Sequence, residues 1–416
     1  MPTQARLKRR ISTTLRTPAG QAGLAGVLIL IVAWWLMRKG LTGYEFTDLR
    51  VYYGAMNWWI NDNESLYDYT IYLFGNELPF TYPPFAALLF SPFAAIGLAS
   101  AYVIFTLAGL AAFGLALWWM LRGLISEQEW SPHFAFAVGL ALMLALEPVW
   151  VTLAIGQINW LLLVLVLADG LALTRGSRWA GIGVGLAAAI KLTPAIFILY
   201  FLLTKRYRAA LIACGTAIGA TLLAAALAPQ ESIRFWTQAL WDTERVGIAS
   251  RIDNQSLGGL LARLTDSDNA NKVLWLGVTL TVVAIGMWRA RIAAQNGNEL
   301  AGLTLTGLIS GLASPISWIH HLLWVAPAII LFIGAALAGQ KLYYLAAGAT
   351  WALFASVAVF SMSHLDGFIG AVSDDAYVWG MLLILLLLPV GNYMPAMSLS
   401  TRSSTERNGS LQSTVR

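Results

Sequence analysis

The sequence is poor in charge and in cysteine, and each shortage excludes a class of protein. Only 11% of its 416 residues are charged, about half the fraction that a soluble globular chain carries on average. The single cysteine, Cys214, lies in an apolar run, so neither an intramolecular disulfide nor a cysteine metal cluster can form. No glycine-rich nucleotide-binding motif of the GxGxxG or P-loop type is present. A soluble fold, a disulfide scaffold and a nucleotide-binding enzyme are therefore disfavoured.

The sequence contains instead apolar segments that are long enough to cross a lipid bilayer. Hydrophobic residues make up 58% of the chain, and the mean hydropathy is +0.68. The first apolar run, residues 20–37, follows a basic segment (1–19) and has no small-residue cleavage site at its end, so we expect a retained helix with a cytoplasmic N-terminus. With the later segments, about twelve spans are predicted. These segments lie at about 99–121, 134–150, 158–174, 177–190, 194–204, 207–228, 272–289, 299–313, 319–338, 342–361 and 376–393.

The basic residues indicate how these spans are oriented. Residues 83–96 are too short and too rich in proline to cross comfortably, so we interpret them as a juxtamembrane helix on the outer side. Arg122, Arg175, Arg178 and most later basic residues then lie on the cytoplasmic side, as the positive-inside rule requires. The net charge of +5 therefore reports topology rather than nucleic-acid binding. The predicted organisation is a transmembrane domain at 20–393, external loops at about 40–98, 229–271 and 362–375, and a disordered cytoplasmic tail at 394–416.

The first external loop holds the densest group of residues that could carry chemistry. Asp48 stands among aromatic residues at the membrane surface, where a raised pKa would let a carboxylate accept a proton from a hydroxyl group. Taken alone, Asp48 is better explained as the cap of a short interfacial helix, and it is the surrounding pattern that favours a catalytic role.

The order of motifs after the first helix resembles a known family. Asp48-Leu49-Arg50-Val51-Tyr52 is followed by Leu66-Tyr67-Asp68-Tyr69 and then by Leu78-Pro79-Phe80-Thr81-Tyr82-Pro83-Pro84-Phe85. This series resembles the polyprenyl-phosphate-mannose-dependent mannosyltransferases of glycosyltransferase family 87, in the membrane-embedded GT-C class. The resemblance implies an all-α polytopic GT-C fold.

The same resemblance implies the chemistry of the site. Asp48 would be the general base that activates the acceptor hydroxyl, with Glu45 as the local alternative. The donor would be β-linked polyprenyl-phosphate-mannose, so that a single displacement gives an α-linked product. The acceptor would be a mannosylated glycolipid of the lipid bilayer: a phosphatidylinositol mannoside, lipomannan or lipoarabinomannan.

Three polar side chains at the predicted outer edge of the membrane are candidates for binding the donor phosphate. His320 and His321 are adjacent and point in different directions on a helix, so they are poor ligands for one metal but could donate to a phosphate. Lys191 interrupts an apolar stretch at a predicted external turn. Basic residues that set the topology lie on the cytoplasmic side, so Lys191 is not explained in that way. The alternatives that need no ligand are interfacial packing for the two histidines and snorkelling of the side chain to the membrane surface for Lys191.

The remaining candidates are amides, arginines and aromatic rings. Gln157 and Asn159 occupy a place where several GT-C relatives carry acidic metal ligands, and neutral amides argue against an essential metal; Asp266 and Asp268 form only a weak D-x-D signal. Arg50 and Arg251 are candidates for binding phosphate or substrate, although Arg251 is also explained by a salt bridge. Candidates for stacking on sugar rings are Tyr52, Tyr53, Tyr82 and Trp318, which equally suit an interfacial belt.

We therefore predict an inverting α-1,2-mannosyltransferase that needs no cofactor and works on the external face of the cytoplasmic membrane. A transporter or flippase would also have about twelve spans, but it would show internal repeats and ionisable groups near the midplane. A scaffold subunit of an envelope synthase, and a GT-C enzyme that uses another polyprenyl-linked sugar, remain alternatives.

Overall fold

A computed structural model describes residues 17–39, 45–73, 75–128, 131–361 and 367–393. Most of the basic N-terminal segment, the predicted disordered tail from Met394, and parts of the first and last external loops lie outside the described residues. The described residues are mainly helical. The helices are α1 (Pro18–Lys39), α2 (Thr47–Ile60), α3 (Pro84–Phe90), α4 (Leu98–Gln128), α5 (Pro132–Leu144), α6 (Glu147–Ala154), α7 (Asn159–Thr174), α8 (Ile182–Ile190), α9 (Ile196–Leu203), α10 (Tyr207–Leu227), α11 (Pro229–Arg234), α12 (Leu257–Leu264), α13 (Lys272–Gln295), α14 (Glu299–Ala313), α15 (Val325–Leu337), α16 (Leu342–Ala355), α17 (Ala358–Ser361), α18 (Gly367–Asp374) and α19 (Ala376–Leu387).

Long apolar helices support the prediction of a membrane protein. Among the described residues, α4, α10 and α13 are each long and apolar enough to cross a bilayer. The other apolar helical stretches are shorter, at 10–17 residues, and in α1 this stretch is Ala19–Val32. The count of about twelve spans therefore stays a prediction, whereas the polytopic helical character is confirmed.

The segment predicted as a span at 134–150 is not one continuous helix, because two helices meet there at a sharp bend. Helix α5 ends at Leu144, α6 begins at Glu147, and the two are bent by 81°. Pro148 explains the break, because in a continuous helix its ring would clash with the carbonyl group of Leu144 and it has no N–H to donate. The bend turns α6 toward the first loop.

The expectation of an all-α fold also needs one correction. Strands β1 (Thr70–Leu73) and β2 (Asn76–Pro79) form an antiparallel hairpin within the first predicted external loop. The proline-rich stretch after the hairpin forms α3 and a 3-10 turn, Ser91–Ala95, which agrees with the short helix predicted at 83–96. On which side of the membrane it lies remains a prediction.

Helix α14 forms the centre of the bundle. Thirteen of its fifteen residues are buried, and it packs against α7, α9, α13 and α15. The outer helices instead expose large apolar side chains, such as Leu211 on α10 and Val273 on α13, which are 73% and 82% exposed. Such surfaces suit contact with lipid chains rather than water.

Close packing between α7 and α8 depends on a glycine and a buried carboxylate. A Cβ atom added at Gly183 would lie 2.1 Å from the carbonyl oxygen of Leu165. Beside it, the buried carboxylate of Asp169 accepts a hydrogen bond from Val184 N at 2.7 Å and so caps the first turn of α8. The two helices can approach this closely only because residue 183 has no side chain.

We therefore expect Gly183→Ala to destabilise the bundle by about 1–3 kcal/mol, because backbone atoms must move to make room. Gly215→Ala on α10 is the matched control, since a Cβ there meets nothing within 4 Å. Thermal unfolding of the purified variants measures the effect. Equal melting temperatures for the two variants would contradict the packing described here.

Candidate active site

The position of Asp48 is set by two helix ends that meet. The backbone N–H groups of Asp48 and Leu49, in the first turn of α2, both donate to the carbonyl oxygen of Ile155 just after α6, at 3.0 and 3.1 Å. Gly156 has φ +68°, and a Cβ there would lie 2.7 Å from Leu49 Cβ, so this junction requires glycine. The next residue is Gln157, which is thereby placed beside Asp48.

Gln157 is held in one orientation and presents its amide nitrogen to Asp48. Its carbonyl oxygen accepts hydrogen bonds from the hydroxyl groups of Tyr52 and Tyr82 at 2.9 and 2.7 Å and from Ile158 N at 2.9 Å. The amide nitrogen donates a short hydrogen bond to Asp48 Oδ2. Asp48 Oδ1 accepts no hydrogen bond from the described residues. The N-cap position of α2 is occupied by Phe46, and no side chain caps the helix there. Asp48 is therefore not the helix cap, and its carboxylate accepts from Gln157 instead.

The two histidines lie on a 3-10 turn, Ile319–His321, that packs beside α6 and α7. Asn159 Nδ2 and Thr152 Oγ1 donate to the carbonyl oxygen of His320 at 2.9 and 3.2 Å, which fixes the turn. His320 Nε2 lies 3.4 Å from Gln157 Nε2. His321 Nε2 lies 3.0 Å from Lys191 Nζ. An amide nitrogen and an ammonium group can only donate, so both imidazoles carry their proton on Nδ1.

Lys191 completes the group at the end of α8. Its ammonium group donates to Asn159 Oδ1 at 3.2 Å and lies 5.5 Å from the centre of the Tyr82 ring. It also borders a cavity of about 60 Å³ that reaches inward beside His321 toward Phe197 and Trp324. We call Asp48, Gln157, Asn159, Lys191, His320 and His321 the polar cluster.

Burial shifts the protonation equilibria of the polar cluster. Desolvation raises the pKa of Asp48 to about 6, although the positive charge of Lys191 and the Gln157 hydrogen bond oppose it. Desolvation lowers the pKa of Lys191 to about 8, and the Asp48 charge opposes that shift. The pKa values of His320 and His321 fall well below the usual range, because burial and then the nearby Lys191 disfavour a second positive charge. At neutral pH the polar cluster thus holds one carboxylate, one ammonium and two neutral imidazoles.

Six of the predicted site residues are not members of the polar cluster, and four of these, Arg50, Tyr53, Arg251 and Trp318, form contacts elsewhere. Arg50 forms an ion pair with Glu45 at 2.9 Å, and Glu45 is exposed. The Tyr53 hydroxyl donates to Ile96 O at 3.1 Å. Arg251 pairs with Asp253 at 2.9 Å and lies 5.5 Å from the centre of the Trp318 ring.

The tyrosines that do reach the polar cluster have covered rings. Tyr52 is 1% exposed and stacks on Phe90 with ring centroids 4.5 Å apart. Tyr82 is 8% exposed and meets Tyr52 edge to face. Their hydroxyl groups orient Gln157, so in this structure they support the polar cluster rather than presenting an open face to a sugar.

Sequence reasoning missed the residues that hold the histidine turn. Asn254 and Gln255 are fully buried, and both bind the backbone of Ser317 just before that turn. Asn254 Oδ1 accepts from Ser317 N at 2.8 Å, and Gln255 N donates to Ser317 O at 2.8 Å. Gln255 Oε1 also accepts from Tyr377 N at 3.1 Å, at the start of α19. A run of polar residues, Asn254-Gln255-Ser256, directly before the amphipathic helix α12 was the available signal.

The weak D-x-D signal lies elsewhere. Asp266 and Asp268 border a separate polar cavity of about 780 Å³, together with Arg263, Asp374 and Asp375. Within the described ranges, no three His, Cys, Asp or Glu side chains stand together as metal ligands.

Comparison with known proteins shows to which class this helical membrane protein belongs. The pattern of glycosyltransferase family 87 matches residues 80–315, more than half of the chain. The class is therefore that of polytopic membrane glycosyltransferases. The chain belongs to glycosyltransferase family 87, and the resemblance drawn from the loop motifs is confirmed. Asp48, His320 and His321 lie outside the matched range, so the match does not assign their roles.

Several relatives are similar over most of their length. A polyprenol-phosphate-mannose-dependent alpha-(1-2)-phosphatidylinositol mannoside mannosyltransferase of Mycobacterium tuberculosis is 37% identical over 322 residues, 74% of each chain. The protein of that name from Mycolicibacterium smegmatis is 34% identical over 74% of this chain and 73% of its own. A polyprenol-phosphate-mannose-dependent alpha-(1-2)-phosphatidylinositol pentamannoside mannosyltransferase of M. smegmatis is 34% identical over 68% of each chain. No solved structure matches the chain.

The hydrogen bonds of Asn254 predict how strongly it holds the histidine turn. Asn254→Ala removes them and leaves the buried Ser317 N–H without its acceptor, so we expect a loss of about 1–3 kcal/mol in unfolding free energy. Asn269→Ala, at an exposed position of the same predicted loop, is the control and should unfold like the parent. Chemical unfolding followed by tryptophan fluorescence measures both. An Asn254→Ala protein as stable as the control would refute the assignment.

Proposed function

We propose that this protein is an inverting α-1,2-mannosyltransferase that moves mannose from polyprenyl-phosphate-mannose to a mannosylated lipid acceptor. The observation that carries the proposal is the polar cluster. It combines a carboxylate of raised pKa with a lysine and two neutral imidazoles at the end of an apolar bundle. The names of the relatives support the donor, the sugar and the linkage.

Asp48 is proposed as the general base. Gln157 holds Oδ2, so Oδ1 is the oxygen available to receive the proton of the acceptor hydroxyl. As the acceptor oxygen bonds to the anomeric carbon, the bond from that carbon to the phosphate oxygen breaks, and the polyprenyl phosphate leaves with the electron pair. One carboxylate suffices for this single displacement, which inverts the configuration at the anomeric carbon.

Lys191 and the two histidines are proposed to bind the leaving phosphate. A lysine ammonium beside a phosphate opposes the charge that develops on the departing oxygen. The Nδ1–H groups of His320 and His321 can donate to phosphate oxygens without adding a second positive charge. Asn159 holds both the lysine and the histidine turn, so its proposed part is to position them.

The proposed acceptor is a phosphatidylinositol mannoside. The names of two relatives give phosphatidylinositol mannoside, and the names of others give phosphatidylinositol pentamannoside. Lipomannan or lipoarabinomannan is the alternative acceptor. We place the reaction at the external face of the cytoplasmic membrane, with both termini cytoplasmic.

We also propose that the transfer needs no metal, because the side chains beside Asp48 are amides, imidazoles and a lysine rather than a set of carboxylates. Activity should therefore survive a strong chelator.

We expect Asp48→Asn to lower kcat by about 10²- to 10⁴-fold, because the amide cannot accept the proton. Asp62→Asn, at an exposed position after the end of the same helix, carries the same charge change and should keep near-parental activity. The assay follows conversion of polyprenyl-phosphate-mannose and a mannosylated phosphatidylinositol by the purified protein in detergent. Near-parental turnover by Asp48→Asn would eliminate Asp48 as the base.

The pKa shifts predict a bell-shaped pH dependence of kcat/KM, which reports the free enzyme. The rate should rise with pH through about 6, as Asp48 loses its proton and becomes a base. It should fall above about 8, as Lys191 loses its charge and its attraction for phosphate. In an active Lys191→Arg variant the upper limb should disappear, because a guanidinium stays charged. An upper limb that is unchanged in this variant would exclude Lys191 as its origin.

A further inference from the structure

A second group of polar residues lies far from the polar cluster, at the opposite end of the same helices. Helix α7 begins at Asn159 in the polar cluster and has 16 residues, which span about 24 Å. Arg175 follows its last residue. Helix α4 packs along α7 and carries Arg122 near its C-terminal end. Arg178 follows three residues after Arg175. We call Arg122, Arg175 and Arg178 the arginine cluster.

Arg122 has two buried hydrogen-bond donors that no described residue satisfies. Its Nε and Nη2 atoms are inaccessible to solvent and have no hydrogen-bond partner among the residues that the structure describes. Arg175 is close enough to repel the Arg122 charge. Across the described part of the chain, none of the three arginines forms an ion pair or a side-chain hydrogen bond to an acceptor. A buried donor left without an acceptor costs about 1–3 kcal/mol, and more when it is charged.

The prediction that these arginines orient the protein in the membrane does not explain this geometry. An orienting charge needs only to stay on the cytoplasmic side, and an exposed side chain satisfies that rule. Burying the guanidinium of Arg122 next to a second cation gains nothing for orientation. An anion that contacts Arg122 and Arg175 would provide the missing acceptors and remove the repulsion between them.

The surroundings identify the class of anion. Trp179 is 59% exposed, and the Arg178 guanidinium lies 5.0 Å from the centre of its ring. An exposed tryptophan at the end of apolar helices is typical of the lipid headgroup region. A guanidinium group matches the paired oxygens of a phosphate, and basic groups between membrane helices bind anionic headgroups.

We propose that the arginine cluster binds the phosphate of an anionic phospholipid, in the leaflet opposite to the polar cluster. The lipid would act as a structural ligand that neutralises Arg122 and Arg175 where α4 meets α7. This site involves neither the donor nor the acceptor, and so it does not depend on the proposed function.

Binding to the purified full-length protein in detergent tests the proposal. The probes are phosphatidylglycerol, phosphatidylcholine with the same acyl chains, and inorganic phosphate, each titrated and followed by native mass spectrometry. We expect the parent to bind phosphatidylglycerol in preference to the other two. Arg122→Gln should weaken that binding about tenfold, as expected from the loss of a charge-assisted hydrogen bond.

The control is Arg291→Gln, which removes the same charge from an exposed arginine near the end of α13 and should bind phosphatidylglycerol like the parent. A single symmetric peak in size-exclusion chromatography checks that Arg122→Gln is folded. The proposal is overturned if the parent does not prefer phosphatidylglycerol, or if the two variants bind it equally. Equal binding of inorganic phosphate would assign the site to a soluble anion instead.

Discussion

The hydrogen bonds of one buried amide, Gln157, organise the end of the bundle that carries the polar cluster. Polar groups among apolar helices must find partners within the protein, because lipid offers none. The Gln157 carbonyl oxygen takes three donors, from Tyr52, Tyr82 and Ile158, and only the amide nitrogen is left to face Asp48. The orientation of the carboxylate therefore follows from α2, α3 and α7 together, since each carries one of those donors or lies beside it.

The same requirement explains how the histidine turn is held in place. Asn254 and Gln255 satisfy the backbone groups of Ser317 on one side, and Asn159 and Thr152 satisfy the carbonyl of His320 on the other. Elsewhere in the bundle, two buried carboxylates are paired with arginines: Glu299 with Arg206, and Asp375 with Arg263. Breaking such a pair leaves an uncompensated buried charge, which is strongly destabilising. Among the described arginines, Arg245 and Arg263 each bury one donor without a partner but use their other donors within the protein, whereas Arg122 buries two.

Much of the fold could be predicted from hydropathy, because the apolar runs coincide with the helices α4, α7, α10, α13 and α14. The bend at Pro148 was missed, although proline in a helical pattern is a known breaker, because the apolar run continues through it. The β-hairpin was missed because its short strands, in a loop of mixed polar and aromatic residues, give no clear alternation of polar and apolar residues.

In the site, the six residues of the polar cluster were all candidates from the sequence. Their mutual contacts were not predictable, since they come from four separate segments of the chain that only the folded bundle brings together. The supporting roles of Tyr52, Tyr82 and Asn254 were invisible for the same reason.

The central claim is that one carboxylate, Asp48, drives a single displacement at the anomeric carbon. The anomeric configuration of the product tests it most directly. Purified protein should be given β-linked polyprenyl-phosphate-mannose and a mannosylated phosphatidylinositol, and the new linkage should be analysed by NMR. The account predicts an α-1,2-linked mannose. A β-linked product would mean net retention, which requires a second nucleophile and would contradict the mechanism.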